Sequence, residues 1–390
     1  MKTDEIKNKS DKYIMNTYGR QPIVLDHGHK QKIYDTDGNE YLDFFSGVAV
    51  NNLGQTPTEI VETIQKQSKK MIHSSNIYYN EPAAELAEKL AQLTKLDKVF
   101  FSNSGAEANE AAIKLARKYT KKENIITATN SFHGRTMLTI TASGQDKYKL
   151  PFKPLPPGFK HVPLNDINAI KETIDDNTAA IMLELVQGEG GINVTSKEYI
   201  KEVQKICKEN QILLIIDEVQ TGIGRCGEIL TSQIYNIKPD IVSIAKGLGS
   251  GFPIGATLAT EEVSKGFEPG DHGSTFGGNP LACAVGKTTL ETIEDKKILE
   301  NTKTTGQYLQ DKLKELKEKY NFITEVRGLG LLQGIELNFE GGEIVDKMRE
   351  KGILINCTAG KVLRFAPPLI ITKQDIDIMI KSLDEIFANI

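Results

Sequence analysis

The sequence predicts an α/β fold: a large domain on a mostly parallel sheet covered by helices, then a smaller α+β domain. Three observations carry this. Gln211 to Glu218 is a near-continuous apolar strand ending in two carboxylates, and Ile241 to Ile244 is a second strand, rich in β-branched residues, that ends just before Lys246. The two strand ends lie about 30 residues apart, the length of one βαβ unit, so the strands run parallel. Third, Phe100 to Ala116 passes from an aromatic strand through Ser104-Gly105 into an alanine-rich helix.

Taken in order, residues 1–55 read as an N-terminal arm. Strand-like alternation at Ile33-Tyr34-Asp35 and Tyr41-Leu42-Asp43-Phe44-Phe45 flanks the turn Thr36-Asp37-Gly38-Asn39. Residues 56–285 alternate helical segments with apolar strands, adding Ile125–Ala128 and Ala179–Glu184 to those above; such alternation gives a parallel sheet buried on both faces. The proline-rich stretch Leu150–Gly158 reads as an exposed loop. Residues 286–390 begin with helical spacing at Leu309, Leu313, Leu316 and Tyr320, followed by strands around Gly330-Leu331-Leu332 and Val362–Phe365.

Composition narrows the function. With 39% apolar and 26% charged residues the chain has the balance of a soluble globular protein. A net charge of −4 provides no footprint for nucleic acid or an anionic membrane. Cys207, Cys226, Cys283 and Cys357 show no Cys-x-x-Cys spacing, so neither a disulfide framework nor a zinc site is expected, and His27-Gly28-His29 lacks further metal ligands. Met1 to Ser10 is polar, and no run reaches the length of a membrane span, so a cytoplasmic location is expected.

The chemistry follows from the strand ends. Asp217 and Lys246 should meet at the carboxyl edge of the sheet, where open α/β folds bind ligands. A lysine amine beside an aspartate suits pyridoxal phosphate, which needs an amine for its aldehyde and an acid for its pyridine nitrogen. The helix start at Ser104-Gly105 offers backbone amides and a dipole for the phosphate; taken alone, it is also an ordinary N-cap. Gly222-Ile223-Gly224-Arg225-Cys226-Gly227 matches G-x-G-x-x-G, but residues Glu218 to Thr221 separate it from its strand. A dinucleotide site is therefore not expected.

These residues sit in longer motifs: Ser104-Gly105-Ala106-Glu107-Ala108-Asn109-Glu110, Phe132-His133-Gly134-Arg135-Thr136, Asp217-Glu218-Val219-Gln220-Thr221-Gly222, Ala245-Lys246-Gly247 and Gly273-Ser274-Thr275-Phe276-Gly277-Gly278-Asn279-Pro280. In this order they resemble the motif series of the class III pyridoxal-phosphate-dependent aminotransferases. The resemblance implies a fold-type I architecture, pyridoxal 5'-phosphate as cofactor, and amino acids and 2-oxo acids as substrates. It also implies a homodimer whose active sites are shared across the interface.

By the same resemblance, Lys246 carries the cofactor and moves the proton, and Asp217 faces the pyridine nitrogen. Phe132 and Val219 flank the ring, and Gln220 meets its hydroxyl. Ser104, Gly105, Ala106 and Thr275 serve the phosphate, with Ser274 and Thr275 coming from the neighbouring subunit. Arg135 holds the substrate's outer carboxylate, Arg364 a second carboxylate, and Glu189 is the switchable partner of Arg364. The implied donor is the terminal amine of N-acetylornithine, with 2-oxoglutarate as acceptor; 4-aminobutyrate, succinylornithine and succinyl-diaminopimelate are the alternatives. Val48 stands where relatives using free ornithine carry a tyrosine against its α-amine, so an aliphatic contact is expected there.

Overall fold

The structure, a computed structural model, describes residues 2–390. Met1, the first residue of the expected arm, lies outside the described residues. The arm opens with a helix, Lys2–Tyr13, that the sequence reading did not anticipate. It is polar around its circumference, so no apolar stripe announces it. Thr3 ties it to the following turn through Thr36 Oγ1 at 2.7 Å and Asp37 Oδ1 at 2.8 Å. Strands β1 (Leu25–His29), β2 (Lys32–Asp35) and β3 (Glu40–Asp43) then form an antiparallel meander, with the turn where it was expected.

The central sheet has seven strands. β4 (Lys98–Ser102), β5 (Asn124–Ala128), β6 (Phe159–Val162) and β7 (Thr178–Leu183) come first. A short hairpin follows, β8 (Val186–Gln187) and β9 (Asn193–Val194), and then β10 (Leu213–Asp217), β11 (Ile241–Ile244) and β12 (Gly255–Ala259). Their spatial order is β4-β12-β11-β10-β7-β5-β6. β7, β10, β11 and β12 are buried along their whole length, the burial expected when helices cover both faces.

β12 alone runs antiparallel to its neighbours, β11 and β4. The chain between Ile244 and Gly255 is too short for a crossover helix, so the next strand must return in the opposite direction. β10 and β11 are parallel, with Asp217 opposite Ser243. That register is what brings the Asp217 and Lys246 ends together.

The C-terminal part holds the long helix Ile298–Lys319, which buries Leu309, Leu313 and Leu316. Beside it lies an antiparallel sheet ordered β13 (Ile323–Leu329), β14 (Leu332–Leu337), β17 (Val362–Phe365) and β16 (Asn356–Thr358). The expected strand around Gly330-Leu331-Leu332 is instead centred on a hairpin turn, with Leu329 paired to Leu332 and Gly330 at φ +56°. An apolar run reads the same whether it crosses a turn or continues, so pattern alone placed the strand centre wrongly. β15 (Ile353–Leu354) pairs in parallel with β3, stitching the arm to this region. Among the described residues no helix is long and apolar enough to cross a membrane. The four cysteines are free, three of them buried.

Candidate active site

A cavity of about 470 Å³ opens at the carboxyl ends of β10 and β11. Asp217 lies in its floor, 3% exposed. Its Oδ2 accepts from Asn109 Nδ2 at 2.7 Å and sits 2.7 Å from His133 Nδ1, while Oδ1 accepts from the Val219 N–H at 2.9 Å. Two segments distant in sequence, together with the turn that follows the strand, therefore hold one carboxylate. Burial would lower the His133 pKa, but the hydrogen bond to Asp217 and the charges of Asp217 and Glu184 together outweigh it and raise the value.

Lys246 projects into the same cavity from a 3-10 turn, Lys246–Leu248, with φ +42°. A lysine in this left-handed region is strained, as is common where a side chain is held for function. The turn can lie this close to the arm only because Gly247 lacks a Cβ, which would fall 2.2 Å from Asn52 Nδ2. Burial, opposed by the Glu189 charge, brings the Lys246 amine down from 10.5 to about 8. A neutral, nucleophilic amine is thus accessible near neutral pH.

The helix Gly105–Thr120 starts at the cavity wall. Ser104 caps it, its Oγ accepting from the Glu107 N–H at 3.2 Å, so the simple N-cap reading of this serine holds. The helix makes no internal use of the Gly105 and Ala106 N–H groups. Gly105 packs against Val219, and a Cβ there would meet Val219 Cγ1 at 2.5 Å. Phe132 lines the cavity together with Val219. The Phe132 N–H donates to Glu184 Oε1 at 2.8 Å, and Glu184 Oε2 accepts from Gly188 at 3.3 Å. Burial pushes the Glu184 carboxyl up to about 7, with His133 opposing and Asp217 adding to the rise.

Gly188 and Glu189 lie in the loop between β8 and β9. Arg364, 1% exposed, donates from Nη1 to Glu189 Oε1 at 2.5 Å, to Gly188 O at 2.9 Å and to Gln220 Oε1 at 3.1 Å. Its Nε reaches Asn356 Oδ1 at 3.0 Å. Gln220 Nε2 also donates to Glu189 at 3.2 Å. Burial would raise the Glu189 carboxyl, but the Arg364 and Lys246 charges outweigh it and hold it below its ordinary value. Arg135 stands at the rim, exposed to solvent.

Not every expected residue converges. Ser274 reaches only the cavity's edge, its Oγ accepting from Asn103 Nδ2 at 3.1 Å, and Thr275 is exposed outside it. Val48 does not line the cavity, whereas Val50 does. The cause is a left-handed turn: Ser46, Gly47, Val48 and Ala49 have φ of +50°, +60°, +67° and +59°. Asp43 Oδ1 accepts from the N–H groups of Phe45 at 2.9 Å and Ser46 at 2.6 Å, and so pins the start of that turn. The sequence reading missed His133, Asn109 and Glu184. His133 had a visible signal inside the Phe132–Arg135 motif, and Asn109 was a lone amide in an alanine-rich helix.

The cavity fits pyridoxal phosphate on its own geometry. An amine and a buried carboxylate face it, unused amides open a helix at one end, and Phe132 and Val219 supply apolar contacts for a ring. The comparisons with known proteins agree. The family model described as aminotransferase class-III matches residues 13–387. The acetylornithine aminotransferase of Methanothermobacter thermautotrophicus is 50% identical over 390 residues, covering 100% of both chains. That of Methanocaldococcus jannaschii is 53% identical, covering 97% of each. Among solved structures, the ornithine aminotransferase of Toxoplasma gondii superposes with a TM-score of 0.96 at 33% identity, covering 99% of this chain and 95% of that one. The acetylornithine aminotransferase of Elizabethkingia anophelis gives 0.89 at 33%, covering 100% and 99%. Backbone shape therefore does not separate the two donors. Shared sequence, fold and cavity together place this chain in the class-III aminotransferases, fold-type I enzymes that depend on pyridoxal 5'-phosphate.

Proposed function

We propose that the chain transfers the terminal amine of N-acetyl-L-ornithine to 2-oxoglutarate, giving N-acetylglutamate 5-semialdehyde and L-glutamate, a step of arginine biosynthesis. The observation that carries this reading is Glu189, which lines the same cavity as Lys246 and is paired with the buried Arg364 behind it. The relatives at about half identity, named for acetylornithine, support the donor.

When bound, pyridoxal phosphate supplies an electron sink for the carbon that loses a proton. The chain's residues supply the rest. Asp217, held by Asn109, His133 and the Val219 N–H, presents a carboxylate that favours a protonated pyridine nitrogen. Lys246, its amine lowered to about 8 and lining the cavity, would hold the cofactor's aldehyde group and is the base placed to take and return a proton there. The N–H groups of Gly105 and Ala106 would hold the phosphate, with the Ser104 cap at the helix start, while Phe132 and Val219 would contact the ring and Gln220 its hydroxyl. Arg135 binds the donor's outer carboxylate. With Glu189 in place Arg364 is neutralised, which suits a donor that has only hydrogens at its reacting carbon; with Glu189 displaced, Arg364 takes glutamate's α-carboxylate.

Thr275 and Ser274 serve the site of a second copy in this reading, so the working unit is a homodimer. Their place outside their own cavity supports it, as do the exposed Ile77, Tyr78, Tyr79 and Phe276. We divide the chain into an arm (1–55), a cofactor-binding domain (56–285) and a C-terminal domain (286–390), acting in the cytoplasm, where its four free thiols would stay reduced.

Amino-donor screening with 2-oxoglutarate tests the donor. N-acetylornithine should exceed free ornithine in kcat/KM by about tenfold or more, because the aliphatic wall at Val50 and Ile254 leaves a free ammonium unpaired. Equal efficiencies, or a preference for 4-aminobutyrate, succinylornithine or succinyl-diaminopimelate, would reassign the donor and leave the family unchanged.

A further inference from the structure

Arg135 makes no ion pair and no side-chain hydrogen bond among the described residues. Its contacts are instead with ring faces: its Cζ lies 4.8 Å from the Tyr148 centroid and 5.8 Å from that of Phe132. A guanidinium stacked on a ring keeps its in-plane N–H donors free at their edge, which is the edge a carboxylate engages in bidentate fashion. The two rings also meet each other, 5.7 Å apart and nearly perpendicular at 79°. Tyr148 thus links the arginine at the rim to the aromatic residue in the cavity wall.

Tyr148 is itself anchored. It belongs to the short helix Asp146–Lys149, whose last residue is 8% exposed. Lys149 Nζ donates to Ser143 O at 3.1 Å and lies 3.2 Å from His161 Nε2. Lys147 Nζ also lies 4.8 Å from the Tyr148 centroid, a second cation against the same ring.

We propose that Tyr148 is a positioning residue for the substrate's distal carboxylate. Its ring face holds Arg135 extended and unpaired, at a set distance from Phe132, and so helps to select the length of the substrate. This rests on the assignment of Arg135 to that carboxylate. No carboxylate among the described residues forms an ion pair with Arg135, and the ring orients the cation without neutralising it.

The test uses the holoenzyme and two unreactive probes: N-acetyl-L-norvaline, which has the donor's carboxylate but lacks its amine, and glutarate, which mimics the acceptor. Their dissociation constants are measured by calorimetry. Tyr148→Leu keeps an apolar contact for Phe132 but removes the ring face, and should weaken both probes about fivefold, the equilibrium equivalent of an exposed cation–ring contact. Tyr148→Phe should restore binding to within about twofold. In steady-state assays Tyr148→Leu should raise KM with little change in kcat, and adding it to Arg135→Ala should cost nothing further. Unchanged probe binding in Tyr148→Leu, or losses that multiply in the double variant, would overturn the proposal. If wild type binds glutarate but not N-acetyl-L-norvaline, the donor assignment fails, and the glutarate arm still decides the role of Tyr148.

Discussion

Replacing Glu189 by glutamine removes a charge while keeping the side chain's shape. In the structure this carboxylate contacts Arg364 at 2.5 Å, and the arginine is 1% exposed. Deleting one partner of a buried ion pair costs about 3–5 kcal/mol. Arg364 would keep Gly188 O, Gln220 Oε1 and Asn356 Oδ1, and Glu189 is itself partly solvated, so about 2 kcal/mol is the reasonable share, or about 30-fold in rate. That loss should appear only in the donor half-reaction, where hydrogens of the substrate face the unbalanced guanidinium. In the glutamate half-reaction the substrate's α-carboxylate supplies the missing charge, and no native pair has to be parted first. Its rate constant should hold or rise. Stopped-flow absorbance of the bound cofactor, with each half-reaction run as a single turnover, measures the two separately. If both slow by the same factor, Glu189 is structural and the switch is wrong.

Other outcomes follow from the same geometry. The Lys246 amine, lowered to about 8, is neutral above that pH and protonated below it. Capture of pyridoxal phosphate by apoprotein should therefore be half-maximal near pH 8 and fall about tenfold per unit below it; a midpoint near 10 would remove the case for a desolvated lysine. His133→Leu deletes one of the three groups holding Asp217, and cofactor affinity should drop about tenfold or more by equilibrium dialysis; unchanged affinity would mean that Asn109 and the Val219 N–H suffice. In Gly105→Ala the new Cβ would collide with Val219 Cγ1, and apoprotein stability should fall by about 1–3 kcal/mol in urea, with weaker cofactor binding. A variant as stable and as avid as wild type would show that this contact yields freely.

Much of the site could be read in advance because strand periodicity and crossover length are local properties. The apolar runs before Asp217 and Lys246, and the spacing between them, were enough to put both on one sheet edge, since two parallel strands joined by one helix must end together. The phosphate-facing helix start was visible at Ser104-Gly105 for the same reason: capping is written in adjacent residues. Val48 shows the opposite case. Its position was known, but its direction depends on a left-handed turn that Asp43 stabilises through two backbone N–H groups, and no pattern of side chains reveals a backbone of that hand. The grip of Asn109 and His133 on Asp217, the Glu184 bridge between Phe132 and Gly188, and the stacking of Arg135 on Tyr148 join residues far apart in the chain. Sequence specified each of those side chains and the strands and helices that carry them. Only the order of strands in the sheet, with its single antiparallel member, decided which of them would meet, because contact between distant segments is a property of the packed whole.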